Sequence, residues 1–206
     1  MGLGDFSRTD LQKALAGKMV SVDASIGAYS ESMSGSSSVK DLETMLQLVY
    51  LLFTAPRYDK EAYQTLISLL HNQLLNKDKN PKAVFADSVS VMGSNHSERT
   101  TLWNVETLDK VSLDKALAVY KARFANPADF TFVFVGNIDP ADKATQKLIS
   151  QWLGGLKTSK QRESFRDNEV RTPLGVLKNY FTRKMETTTA SNRIQYTSYE
   201  MPYTLA

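Results

Sequence analysis

The run from Leu42 to Phe53 limits what this chain can fold into more than any other segment. Leu42, Met45, Leu46, Val49, Leu52 and Phe53 fall at i, i+3, i+4, i+7, i+10 and i+11, the spacing of one helical face. Leu48, Tyr50 and Leu51 widen the stripe near its end, so this helix is apolar on more than one side and must lie between other elements. Pro56 closes it, because the residue before a proline is pushed out of helical geometry. The 206 residues are 42% hydrophobic and 23% charged, an ordinary globular balance. They are enough for one large domain, or one domain and part of a second.

Around that helix the punctuation is dense. Ser7 opens a first helix with Asp10 three residues on, Leu11 and Leu15 inward and Gly17 as its stop. Lys18–Asp23 and Ile26–Met33 read as two strands joined at Asp23-Ala24-Ser25, the second rich in Ser and Gly as an edge can be. Ser34–Ser38 reads as a polar loop whose last serines cap the long helix. A further helix is expected from about Asp59 to Asn76, with Tyr63, Leu66, Ile67, Leu70 and Leu74 inward. Asn80-Pro81, a cap followed by proline, opens another through Met92, and Gly93–Asn104 is a polar loop. Ser112 caps a helix bearing Leu113, Ala116, Leu117, Tyr120 and Phe124, closed by Asn126-Pro127.

Phe130–Gly136 is apolar on both alternating faces and predicts a central strand covered on both sides. Asp139-Pro140 predicts the start of a last helix, with Ala144, Leu148, Ile149 and Trp152 inward and Gly154-Gly155 as its stop. Lys157–Pro173 has the composition of a linker. Leu177–Met185 and Asn192–Tyr199 read as strands of a new unit. The fold class is therefore α+β, an antiparallel or mixed sheet with helices packed against it.

Little in the residues announces chemistry. Without cysteine there is no thiolate nucleophile, disulfide or cysteine-bearing zinc site. His71 and His96 stand far outside the close helical spacing of a two-histidine metal site. His71 reads as a partly buried structural histidine and His96 as a loop residue. Ser37-Ser38-Val39-Lys40 fits S-x-x-K, but the S-D-N and K-T-G elements of serine acyl-transfer enzymes are missing, and a helix cap explains the serines. Asn95-His96-Ser97 is a glycosylation sequon, meaningful only in a eukaryotic secretory protein. Neither glycine-rich phosphate motif occurs. Asp41 and Glu43, two apart on a helix, do not face each other as an acid–base pair. A net charge of +3, with basic residues near Lys77–Lys82 and Lys157–Arg162 diluted by acids and Ser/Thr, reads as solvated surface and not a nucleic-acid groove. No apolar run nears the roughly 20 residues of a membrane span, and no secretory signal opens the chain. The start, Met1-Gly-Leu-Gly-Asp-Phe, reads as though cut from something longer.

Several phrases resemble a known family. Asp5-Phe6-Ser7 through Leu15-Ala16-Gly17-Lys18, then Ser36–Arg57, Tyr120–Asp139 and the stop at Trp152–Leu156 resemble, in wording and order, the insulinase- and pitrilysin-like zinc peptidases with the inverted H-x-x-E-H motif. The resemblance spans nearly the whole chain but carries no catalytic motif. It implies an α+β repeat in which two halves close round a peptide, one repeat holding zinc and its counterpart walling the chamber. It places H-x-x-E-H upstream of Gly2-Leu3-Gly4-Asp5-Phe6, and a glutamate ligand on the helix before Asn80-Pro81, where this chain has Asn72-Gln73. Neutral amides cannot supply the carboxylate of a two-His, one-Glu site, and no Glu or Asp lies between Ala62 and Lys77.

The resemblance thus implies a non-catalytic repeat over residues 1–156, without front strands or metal helix. A linker over 157–176 follows, then strands over 177–206 that open the next repeat or complete the sheet. The chain alone is expected to be no enzyme and to hold no catalytic or metal residue. Its zinc-endopeptidase parent supplies the zinc in the catalytic half, which is its partner together with the peptide substrate. The alternative is an inactive scaffold or peptide-binding subunit paired with a separate active one, distinguished by whether an H-x-x-E-H lies in the same reading frame. A third reading, an independent hydrolase using Ser37 and Lys40, would be supported by labelling with a serine-directed acylating probe. The resemblance points to bacteria, and there to the periplasm or cell envelope.

Overall fold

The computed structural model describes residues 2–27, 29–160, 162–184, 186 and 188–196. The chain divides into two compact units, Met1–Thr65 with Val111–Ser164, and Leu66–Lys110 with Phe165–Ala206.

The first unit opens on α1 (Arg8–Ala14), where the Ser7 hydroxyl accepts from the Asp10 amide and donates to its carboxylate. Gly17 takes φ +80° as the chain turns out of the helix, a conformation that costs glycine little. Strands β1 (Val20–Ile26) and β2 (Glu31–Ser37) then pair antiparallel, from Val20 opposite Ser37 to Ile26 opposite Glu31. The turn therefore lies beyond Ile26, where the Gly27 amide donates to Ser30 O at 2.8 Å, and not at Asp23-Ala24-Ser25. Those three residues resemble a turn in composition, but they sit within the ladder, and Ser25 faces Ser32 across it with hydroxyls 2.9 Å apart. Ser34–Ser37 likewise belong to β2 and not to a loop.

A 3-10 turn (Val39–Asp41) leads into α2 (Leu42–Thr54), the long apolar helix. Leu46, Leu48, Val49 and Leu52 are buried, and α2 packs on β1, β2 and α7 (Lys143–Trp152). Each fully buried leucine stabilises the fold by roughly 1.5–3 kcal/mol. Leu3 joins Leu48 and Leu52 in the core, fringed by Leu11, Leu15, Val20, Val22 and Met33. The opening phrase is pinned there: the Gly4 amide donates to Ala55 O at 2.9 Å, and Arg57 Nη1 donates to Asp5 O at 2.9 Å. Gly2 permits this approach, because a Cβ at that position would lie 2.4 Å from Phe6 O.

Behind α2 lies an aromatic cluster built on α6 (Leu113–Arg123) and the segment after it. Phe124, 2% exposed, stacks on Phe130 at 5.6 Å and meets Tyr120 at 4.6 Å. Phe53 reaches both Phe124 and Phe130 edge-on. Phe130–Gly136 is not a strand, contrary to the expectation from its alternation. Phe130 and Phe132 meet Phe53 of the cluster, whereas Val133 and Val135 are 76% and 94% exposed. Only one face is covered, and no strand pairs with it among the described residues. The helix expected at Asp139-Pro140 starts later, at the Asp142 cap, whose carboxylate accepts from the Ala144 and Thr145 amides. Leu148, Ile149 and Trp152 are half-buried while Ala144 is exposed.

Helix α3 (Lys60–Leu75) contains the boundary between the units. Tyr63, Ile67, Leu70, His71 and Leu74 form its half-buried face, and Leu66, expected inward, is 52% exposed. In the second unit α4 (Pro81–Gly93) starts at Asn80, whose side chain accepts from the Lys82 and Ala83 amides. A short helix, α5 (Val105–Asp109), follows an Asn104–Thr107 capping box and buries Leu108. Lys77 ties this unit together, bonding Asp87 at 2.7 Å and Trp103 O at 3.0 Å. Among the described residues of Leu177–Met185 and Asn192–Tyr199 there is no strand; Met185 and 197–199 lie outside the described residues. No helix of the described residues is long and apolar enough to cross a membrane.

Candidate functional site

The turn of α3 that holds His71, Asn72 and Gln73 is where a zinc ligand would be expected from the resemblance. His71 is half-buried on the inward face, beside Leu70 and Leu74. Asn72 and Gln73 are exposed, and the Asn72 carbonyl accepts from Asn76 Nδ2 at 3.5 Å. One imidazole and two neutral amides do not fit Zn²⁺ in a two-His, one-carboxylate site, which needs a negative oxygen donor. Among the described residues no three His, Asp or Glu side chains group so as to hold a metal ion.

The other candidates are scattered. His96 is exposed, and with Asn95 it adopts positive φ, 57° and 52°, where α4 ends. The His96 amide reaches back to Val91 O at 2.9 Å, so these residues close a helix, a role in which Asn is tolerated. Ser37 lies in β2 opposite Val20, while Lys40 is exposed in the 3-10 turn. No hydrogen bond joins Ser37 to Lys40 among the described residues, and a nucleophile needs its base within that reach.

Ser38 occupies the cap position without using its hydroxyl as a cap. It donates to Asp41 Oδ2 at 2.6 Å, and the same oxygen accepts from the Met19 amide at 3.0 Å. Asp41 is 6% exposed. The Ser38 hydroxyl, and then the Met19 amide, hold its carboxyl below the usual aspartate range. This buried carboxylate ties the start of α2 to the approach to β1. Its signal was present in the Ser38-x-x-Asp41 spacing, which the pairing question with Glu43 hides. Tyr120 plays a similar part: its hydroxyl donates to Leu52 O at 3.0 Å, and burial, with Asp23 nearby, pushes it up to about 12. Both groups are structural ties.

An α+β unit carrying these phrases, with one long buried helix on a hairpin, has the build of the insulinase-like zinc proteases. No model of a known protein family matches the chain. It is 30% identical over 156 residues to an Arabidopsis thaliana protein described as "Zinc protease PQQL-like". It is 26% identical over 158 residues to the "Probable zinc protease PqqL" of Escherichia coli strain K12. The matches cover 75% and 77% of this chain but only 16% and 17% of those proteins.

The crystal structure of the periplasmic protease PqqL from Escherichia coli aligns with a TM-score of 0.68 at 25% identity, over 82% of this chain and 18% of that one. A variant of the ferredoxin protease FusC, solved in complex with Arabidopsis ferredoxin, shares the fold with a TM-score of 0.64 at 18% identity, over the same shares. The chain is thus homologous to a segment of the PqqL-like zinc proteases, as its phrases implied. It spans less than a fifth of the length of these relatives, which come from a plant and a bacterium.

Proposed function

We propose that the chain is a non-catalytic repeat of a zinc endopeptidase and walls the peptide chamber opposite the catalytic half. The observation that supports this reading is the α3 turn, where Asn72 and Gln73 are neutral amides at the place to which the resemblance assigns a carboxylate ligand. Zinc and its ligands then belong to the catalytic half of the parent polypeptide. Residues 1–156 form the repeat, 157–176 the connection, and 177–206 the opening of the next repeat or a completion of the sheet. The short share of each relative that the chain covers supports the reading, because it leaves ample length for a separate catalytic half.

The test is made in the parent protein. A photoreactive residue placed at Gln73, on the exposed side of α3, is expected to capture a bound peptide substrate. The chain by itself is expected to cleave none. Peptide hydrolysis by the chain alone, or no capture at any exposed position of α3, overturns the proposal.

A further inference from the structure

The polar run after Leu156 has the composition of a free connection, yet its first half is tied to the first unit. Asn126 Oδ1 accepts from the Ser159 amide at 2.9 Å, and Asp129 Oδ1 accepts from the Glu163 amide at 3.1 Å. The acceptors are three residues apart and the donors four, so Ser159 and Glu163 meet the turn in the same chain order, at two points.

The turn is organised before it receives the strap. Pro127 is buried and fixes one backbone torsion, and Asn126 Oδ1 also takes the Ala128 amide at 3.3 Å. Asn126 Nδ2 donates to Asp129 Oδ2 at 3.1 Å, which aims the other carboxylate oxygen. Arg123, at the end of α6, adds a third tie, lying 3.4 Å from Glu163 and 3.6 Å from Glu31 at the start of β2. The compact unit itself ends at Ser164, one residue past the last of these ties. From there to Lys184 the described residues form neither helix nor strand.

We propose that the Asn126–Asp129 turn is a latch that holds the chain to the first unit as far as Glu163, so that the polar run is fixed there and not released after Leu156. This holds whether or not the repeat lines a peptide chamber.

Hydrogen exchange resolved to single amides tests the latch in the full chain. The Ser159 and Glu163 amides are expected to exchange at least about tenfold more slowly than those of Arg166 and Asn168. Asp129→Ala should bring Glu163 to the rate of Arg166 while the α2 amides stay protected. Ser159→Pro removes a donor without touching the turn, and should open Lys160 and Arg162 to trypsin, which in the unaltered chain is expected to cut at Arg166 before either of them. Equal exchange at Glu163 and Arg166 in the unaltered chain overturns the proposal. So does an unchanged pattern of exchange and cleavage in both variants.

Discussion

Phe124→Ala removes the ring at the centre of the aromatic cluster behind α2. Phe124 is among the largest fully buried side chains and touches Tyr120, Phe53 and Phe130. Returning a buried phenylalanine to water costs roughly 1.5–3 kcal/mol, and each lost ring pair adds up to about 0.5–1.5 kcal/mol. The neighbouring rings collapse only in part, which gives a total of about 3–5 kcal/mol. With a urea slope of about 2 kcal/mol/M, the unfolding midpoint should fall by roughly 1.5–2.5 M with the slope unchanged. Phe165→Ala, at a residue 79% exposed, is the control and should move the midpoint by no more than about 0.25 M, the shift for roughly 0.5 kcal/mol. If Phe124→Ala moves it as little as the control does, the cluster is not part of the core and the placement of the segment 130–136 on it is wrong.

Leu3→Ala should cost roughly 2–5 kcal/mol, because Leu3 sits in the core with Leu48 and Leu52 although it lies near the start of the chain. Urea unfolding checks this, and a loss within about 0.5 kcal/mol would show that the opening phrase is not docked. Asp41 has a lowered folded pKa, so its stabilisation is full above the usual aspartate value of 3.8 and disappears as pH falls through the folded one. Asp41→Asn should therefore lower the melting temperature at neutral pH and flatten its decline in acid. Tyr120 runs the other way: its folded pKa is raised to about 12, so its contribution is complete below the usual tyrosine value of 10.0 and fades as pH climbs toward the folded value. Tyr120→Phe should cost about 1 kcal/mol at neutral pH and remove that alkaline loss, read by melting at a series of pH values.

The sequence carried the helices well where a cap and an apolar stripe agree. Ser7, Asn80 and Ser112 each cap the helix that their spacing predicts. Leu46, Leu48, Val49 and Leu52 are buried as the stripe on α2 requires. Pairing was harder to read, because it depends on residues far apart in the chain. Asp23-Ala24-Ser25 has turn composition, but the ladder from Val20–Ser37 to Ile26–Glu31 runs through it. Phe130–Gly136 has the alternation of a central strand, yet Phe130 and Phe132 pack on Phe53 while Val133 and Val135 face out. Short α5 was hidden in a polar run, since its signal is one Asn104–Thr107 box and one buried leucine. At the candidate site, the family resemblance alone points to Asn72 and Gln73. At Asp41 the Ser38 spacing was legible, but the tie to the Met19 amide was not, because that partner is 22 residues away.

Zinc stoichiometry of the chain tests the non-catalytic reading most directly. After equilibration with micromolar zinc and removal of the free ion, elemental analysis should find no bound equivalent. His71→Ala, which removes the imidazole in the expected ligand turn of α3, should change nothing in that measurement. One tightly held zinc per chain, lost on His71→Ala, would contradict the account and return this repeat to the catalytic class.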